Sequence, residues 1–372
     1  MKLIALDLHQ DTIVSATLEY GEVDPKVTVK KYCLQDSTFQ TFLGMLRKDD
    51  VIIVESTMNA FWIYRKLEAL VKACYVLNTN ATHLRGNKTD TLDAKKLLQI
   101  LSTFVLTNTI DQMPTVYVPS EEVGKLRSLF CTYRLLMKMS TQCRNRIHAL
   151  YRQNGIVIER KELSEVGYWN TLIEKFPMDD FWREQVQLLI EELSGLRSRI
   201  AHTKKTLLFL GMQLFEAEVK ILATIPGVSP FTAIAMMSDI CDINRFRSAK
   251  KLCSYLRTAP SIKASNKTSH LGPVNKAGRS LTVTLLTQSI NHLKAALPEY
   301  GAFYAKLRVG KSAGKCRIAL IRKMLTASYY MLKRDNDFKN KREKPYERKY
   351  RDLRAELNGF MPEFMKDVQK TA

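Results

Sequence analysis

An aspartate stands inside an apolar run at the start of the chain. Residues 2–9, Lys-Leu-Ile-Ala-Leu-Asp-Leu-His, read as one buried strand rather than as an amphipathic helix. A carboxylate in such a strand is unfavourable unless it is paired or holds a cation, so this strand must carry Asp7 to a partner. The runs that follow are also short. Residues 12–20 and 26–32 read as two further strands, with Gly21 and Asp24-Pro25 as turn signals between them. Residues 38–47 are expected to be helical. Val51-Ile52-Ile53-Val54 is a strand ending in Glu55, 59–72 an amphipathic helix, 73–77 another strand, and a helix runs from near Asp90 to about Phe104.

Three meandering strands followed by alternating helix and strand is the order of a ribonuclease-H-like α/β domain, expected over residues 1–118. Residues 121–153 and 180–217 carry long helical periodicity, through Leu126, Leu129, Leu135 and Leu136 and then Leu188, Leu189, Leu193 and Leu196. They predict an antiparallel helical hairpin or coiled coil over 119–218. Residues 219–335 predict a mostly helical basic domain, with helices at 231–238, 281–297 and 313–333 and a loop at 258–279. The segment 336–372 reads as a basic tail without periodicity, partly disordered. The expected class is therefore α/β plus α.

Charge is unevenly spread. Lys and Arg exceed Asp and Glu by 58 − 37 = 21, and 243–334 alone holds nineteen basic residues against one acid, Glu299. That local excess of +18 predicts a polyanionic partner, because a basic surface releases counterions from phosphates. No run of about eighteen apolar residues is present, so no membrane span is expected. The first residues do not read as a signal peptide, and the seven cysteines are scattered without a CxxC pair. Both point to reduced thiols in a cytoplasm.

Four carboxylates stand where chemistry can use them. Asp7 and Glu55 lie in or at the end of strands. Asp90 and Asp93 are three apart at a helix start, and so share a face. Such a set can converge as hard oxygen ligands of the kind Mg²⁺ prefers, and paired ions act in phosphodiester chemistry. The residues alone leave other roles open: Asp90 as a helix cap, and both helical acids as partners of the helix dipole.

In the basic part, Ile225-Pro226-Gly227-Val228 resembles the turn of a helix-hairpin-helix element, where glycine lets backbone N–H groups approach a phosphate. Lys263, Lys267, Lys276 and Arg279, and the run from Lys311 to Lys323, supply candidate phosphate contacts. Tyr255, Tyr304, Tyr329 and Tyr330 lie among these charges and are candidates for base stacking or for core. Serines stand in the loop 258–279, at 261, 265 and 269. Serine needs a base or metal beside it to act as a nucleophile, and no His/Asp pair stands locally; His270 is alone.

These motifs together resemble the DEDD-type insertion-sequence transposases, also described as bridge-RNA-guided recombinases and related to the Piv-type DNA invertases. The resemblance covers roughly 1–335. It rests on Ala5-Leu6-Asp7, Val54-Glu55-Ser56 and Lys88-Thr89-Asp90-Thr91-Leu92-Asp93-Ala94 in the first half. In the second it rests on Ile225-Pro226-Gly227-Val228, Arg245-Phe246-Arg247-Ser248, Leu256-Arg257-Thr258-Ala259-Pro260 and Ser265. It implies a RuvC-like domain whose Asp7, Glu55, Asp90 and Asp93 hold Mg²⁺, and Ser265 as the nucleophile that becomes joined to a DNA phosphate. The register among Ser265, Ser261 and Ser269 stays open. It further implies donor and target double-stranded DNA, a structured guide RNA, a homo-oligomer (dimer or tetramer), and a nucleoid-associated place in a bacterial or archaeal cell. The alternatives are a metal-dependent junction endonuclease that uses water, and a non-catalytic nucleic-acid-binding protein.

Overall fold

The computed structural model describes residues 1–20, 26–78, 89–158, 173, 179–265, 268–274 and 278–365. The chain divides into two compact units, Met1–Pro119 and Ser120–Ala372.

The first unit is built on a five-stranded mixed sheet. Its strands are β1 (Lys2–Leu8), β2 (Thr12–Glu19), β3 (Thr28–Cys33), β4 (Val51–Glu55) and β5 (Ala73–Leu77), in the spatial order β3-β2-β1-β4-β5. β1 runs antiparallel to β2 and parallel to β4, with Leu3 facing Val51 and Leu6 facing Val54. Helices α1 (Ser37–Gly44), α2 (Ala60–Leu67) and α3 (Asp90–Leu106) cover it. Alternation along the strands separates two cores, as a period of two requires. Ile4, Leu6, Ile52 and Val54 join Phe39, Phe42 and Ile63 on the side of α1 and α2. Leu3, Ala5, Val51 and Ile53 join Leu97 and Leu101 of α3 on the other.

The second unit is helical apart from one hairpin. Its elements are α4 (Glu121–Gln153), α5 (Asp180–Ala223), α6 (Pro230–Ile240), α7 (Ala249–Tyr255), β6 (Pro260–Ser265), β7 (Thr268–Val274), α8 (Leu281–Ala296), α9 (Pro298–Arg308), α10 (Ala313–Arg334) and α11 (Glu343–Leu357). The large core joins Leu126 and Phe130 of α4, Leu207, Leu208 and Leu222 of α5 and the α6 residues to α8 and α10. A second cluster sits farther out on the α4–α5 pair, around Cys143, Ile147, Tyr151, Val186 and Leu193. α5 is interrupted at Phe215, whose φ of −141° and ψ of 34° are not helical.

Two expectations are corrected here. The stretch read as a loop over 258–279 holds the antiparallel β6–β7 pair, in which Ser265 faces Thr268. Its strands lack a long apolar alternation, and Gly272 and Pro273 read as turn residues. The segment read as a tail without periodicity holds α11, docked on the large core through Leu353 and Tyr350. Its inward face is Tyr346, Lys349, Tyr350 and Leu353, a helical spacing with a lysine and two tyrosines among its members, which hides it from an apolar count. Lys349 Nζ donates to the carbonyls of Ala223 (2.6 Å) and Ile225 (3.1 Å).

Burial pulls the Lys349 ammonium down from 10.5 to about 8. The folded chain therefore gives up this proton before the unfolded chain does. Between about pH 8 and 10.5 the unfolded state binds the extra proton, so this residue's contribution to stability rises with pH across that window. Denaturant unfolding of wild type and Lys349→Met at several pH values should show wild type gaining on the variant from pH 8 to pH 10. A constant difference would contradict the buried-ammonium account.

Candidate functional site

The sheet alternation decides what stands beside what in the first unit. Asp7 follows Leu3 and Ala5 at even spacing, so it faces α3. Glu55 follows Val51 and Ile53 in the same way. The register Leu6–Val54 places Asp7 and Glu55 at the next adjoining positions of neighbouring strands. Asp7 is 4% exposed. The N-terminus of α3 arrives on this side, where Thr89 caps the helix by accepting from the Leu92 N–H at 3.4 Å. Asp90 and Asp93 occupy that first turn, where the helix dipole favours negative charge.

Among the described residues, Asp7, His9 and Asp90 form a group whose ligand atoms all lie within 4.8 Å of one another. His9 Nε2 is 3.4 Å from Asp7 Oδ2 and 3.4 Å from Asp90 Oδ2. That atom is buried and makes no hydrogen bond. The backbone of His9 is fixed: its N–H donates to the Thr12 carbonyl at 2.9 Å, and its carbonyl accepts from Asn59 Nδ2 at 2.9 Å. Glu55 and Asp93 fall outside the close group. Asp93 is paired with Lys96 Nζ at 3.1 Å, and Glu55 is half-buried.

The structure therefore brings together Asp7 and Asp90 of the four predicted acids, and adds His9. The sequence held a signal for His9: it stands two after Asp7, on the same side of the strand. A buried carboxylate, a second carboxylate and an imidazole nitrogen without a hydrogen-bond partner make a donor set that suits a divalent cation. Oxygen donors fit Mg²⁺. The nitrogen would favour a softer ion such as Mn²⁺.

The basic residues of the second unit divide in the same way. Lys267 and Lys276 lie outside the described residues, as do the side chains of Lys263, Ser265 and Ser269. Ser261 is described, and its hydroxyl donates to the Pro273 carbonyl at 3.0 Å. Gly227 has a φ of +86°, and a Cβ there would come within 2.7 Å of the Ser289 carbonyl oxygen. It lines a cavity of about 300 Å³ with His292, Arg342, Tyr346 and Lys349. Glycine is required at this turn by packing, whatever else the turn contacts. The helix after it, α6, is buried at every position and capped by Ser229, which accepts from the Thr232 N–H at 3.1 Å. Arg279 Nε donates to Oδ1 of the fully buried Asp239 at 2.7 Å.

The tyrosines do several jobs. Tyr329 is buried and donates to the Phe246 carbonyl at 3.1 Å, and Tyr255 lies 4.4 Å from the Arg245 guanidinium. Tyr304 lies under Lys294 at 4.2 Å. Tyr330 is 48% exposed.

Residues 219–305 match the family described as "Transposase IS116/IS110/IS902 family". The chain is 22% identical over 369 residues to the transposase for insertion sequence element IS1111A of Coxiella burnetii, covering 91% of this chain and 92% of that protein. It is 23% identical over 237 residues to a protein named as the transposase y4qE of Sinorhizobium fredii, covering 63% of this chain and 56% of that protein. It is 30% identical over 121 residues to the pilin gene-inverting protein of Moraxella bovis, covering 32% of this chain and 38% of that protein. The chain thus spans little more than half the length of the Sinorhizobium protein and less of the Moraxella protein.

The acidic site can be tested without any DNA. Calorimetric titration with Mn²⁺ or Mg²⁺ should show saturable binding by the wild type. Asp7→Asn should weaken it by at least about tenfold, since it removes a charged ligand rather than a supporting group. Equal affinities would remove Asp7 from the site.

Proposed function

We propose that this chain is a DNA recombinase of the transposase kind, cutting and rejoining strands through a serine–phosphate ester with a divalent cation, Mg²⁺, at its acidic site. The observation that carries the reading is the match of residues 219–305 to transposases, because that span contains the β6–β7 hairpin with Ser265 and much of the basic excess. The convergence of Asp7 and Asp90 on the α3 side of the sheet supports it from the other unit.

The chemistry runs as follows. The Ser265 hydroxyl oxygen attacks a DNA phosphorus, and the O–P bond to one sugar oxygen breaks. The serine proton leaves to a base, and the departing sugar oxygen takes up a proton as a hydroxyl. The phosphoserine ester keeps the energy of the broken bond, so a second sugar hydroxyl can displace the serine and reseal a strand with no nucleotide cofactor. A bound Mg²⁺ would supply a Lewis acid at the phosphate oxygens. Asp7 and Asp90, with Glu55 and Asp93 nearby, would hold it in a RuvC-like arrangement, and His9 would offer a nitrogen donor. Gly227, Lys263, Lys267, Lys276 and Arg279 are assigned to nucleic-acid backbone. Donor and target duplexes, a structured guide RNA and assembly into a homo-oligomer complete the reading.

Two outcomes test it. Asp7→Asn should abolish DNA cleavage while leaving nucleic-acid binding nearly unchanged, since it removes one ligand charge without altering shape. A reaction stopped in denaturant and digested should yield a DNA-linked peptide containing Ser265, absent in Ser265→Ala. An adduct mapping to Ser261 or Ser269 would move the register and keep the mechanism. Cleavage with no adduct at all would replace it with a water-using endonuclease.

A further inference from the structure

Arginines far apart in sequence converge in the second unit. A cavity of about 160 Å³ is lined by Arg127 and Arg134 of α4, Arg257 after α7, and Gly278, Arg279 and Ser280 before α8, among others. No acid lines it. Among the described residues, the carboxylate paired with these arginines is that of Asp239, which is already engaged. Its Oδ1 accepts from Arg279 Nε at 2.7 Å, and its Oδ2 accepts from the Thr282 N–H at 3.1 Å and hydroxyl at 2.9 Å. Among the described residues, three of the four guanidiniums, those of Arg127, Arg134 and Arg257, have no carboxylate partner.

Three of these arginines are wholly or partly buried, and Arg134 is exposed at the rim. Arg127 is 9% exposed and is pinned to the end of α6, with Nε donating to the Ser238 carbonyl at 2.6 Å and Nη2 to that of Asp239 at 3.2 Å. Arg257 sits at a φ of +54°, and its Nε is buried without a hydrogen-bond partner. Leaving a buried cationic donor unsatisfied is unfavourable, and an anion in the cavity would satisfy it. The N-terminus of α8 opens beside it with no side-chain cap at Ser280. Planar guanidiniums and helix N–H groups together match phosphate oxygens.

We infer that this cavity is a binding site for a backbone phosphodiester of the nucleic acid on which the enzyme acts. It lies at the foot of the β6–β7 hairpin: Arg257 precedes β6, Arg279 follows β7, and the Arg279 N–H closes the base on the Tyr255 carbonyl at 3.1 Å. β6 ends at Ser265, so at roughly 3.3 Å per residue the hairpin end lies within about 20 Å of its foot. A phosphate seated here therefore lies within about 20 Å of a strand held at the hairpin end. The inference rests on the nucleic-acid reading above.

The test uses the full chain, a random-sequence duplex DNA, a single-stranded RNA of similar length, and inorganic phosphate. Arg257→Gln and Arg134→Gln each remove a charge without touching Asp239, and Arg348→Gln is an exposed arginine outside the cavity. Affinity is measured from low to moderate salt. Each cavity variant should flatten the slope of log affinity against log salt by about 0.9 on duplex, or about 0.7 on a single strand. Arg348→Gln should keep the wild-type slope. Loss on duplex alone assigns the strand to DNA, and loss on both assigns it to the phosphodiester itself; either supports the site. At matched ionic strength, phosphate should raise the melting temperature of the wild type more than that of Arg257→Gln. Wild-type slopes in both cavity variants overturn the inference and leave the recombinase reading standing. Stabilisation by phosphate with those slopes unchanged would make the cavity a small-anion site and also overturn it. A wild type that binds neither nucleic acid removes both readings together.

Discussion

Asp239 holds the second unit together. It is fully buried near the C-terminus of α6, and its carboxylate reaches Arg279 and both the N–H and hydroxyl of Thr282. The last carbonyls of α6 have no intrahelical partners. Arginines fill that role: Arg127 from α4 and Arg245 from the turn after the helix both donate to the Asp239 carbonyl, at 3.2 and 3.3 Å. Cations at a helix C-terminus also suit its dipole. One residue thus fixes α4, α6, the foot of the hairpin and the start of α8. Removing the Asp239 carboxylate would leave a half-buried guanidinium and the Thr282 N–H without their partner, which is destabilising. The same lattice holds Arg127 and Arg279 in the basic cavity.

Much of the first unit was legible because strand chemistry is local. A period of two assigns Asp7 and Glu55 to a side, apolar runs give β1, β4 and β5, and Thr89 followed by acids marks the start of α3. The same period points at His9, which a carboxylate pattern does not include. Which acids come within ligand distance was not legible. It depends on the approach of α3 to the sheet, and Asp93 turns instead to Lys96.

The second unit was less legible for two different reasons. α11 is hidden by composition: a buried lysine and tyrosines replace the leucines that betray a core helix. The basic cavity is hidden by distance. Arg127 and Arg279 are 152 positions apart (279 − 127), and nothing in either neighbourhood marks the other. The excess of basic residues over 243–334 announced an anionic partner, yet two arginines of the cavity come from α4, outside that span.

The separate cluster around Tyr151 and Val186 has a thermal consequence. The α4–α5 pair is held at two places, by the large core near Leu126 and Leu208 and by the outer cluster. Between them the buried residues Ser140 of α4 and Thr203 of α5 are polar, so the apolar contact between the two clusters is interrupted. Cooperativity follows buried contact, and contiguous units open at their own free energies. The outer half of the pair is therefore a distinct opening unit. Its amides exchange with solvent through loss of the outer cluster alone, while those of α6, buried at every residue, wait for global unfolding.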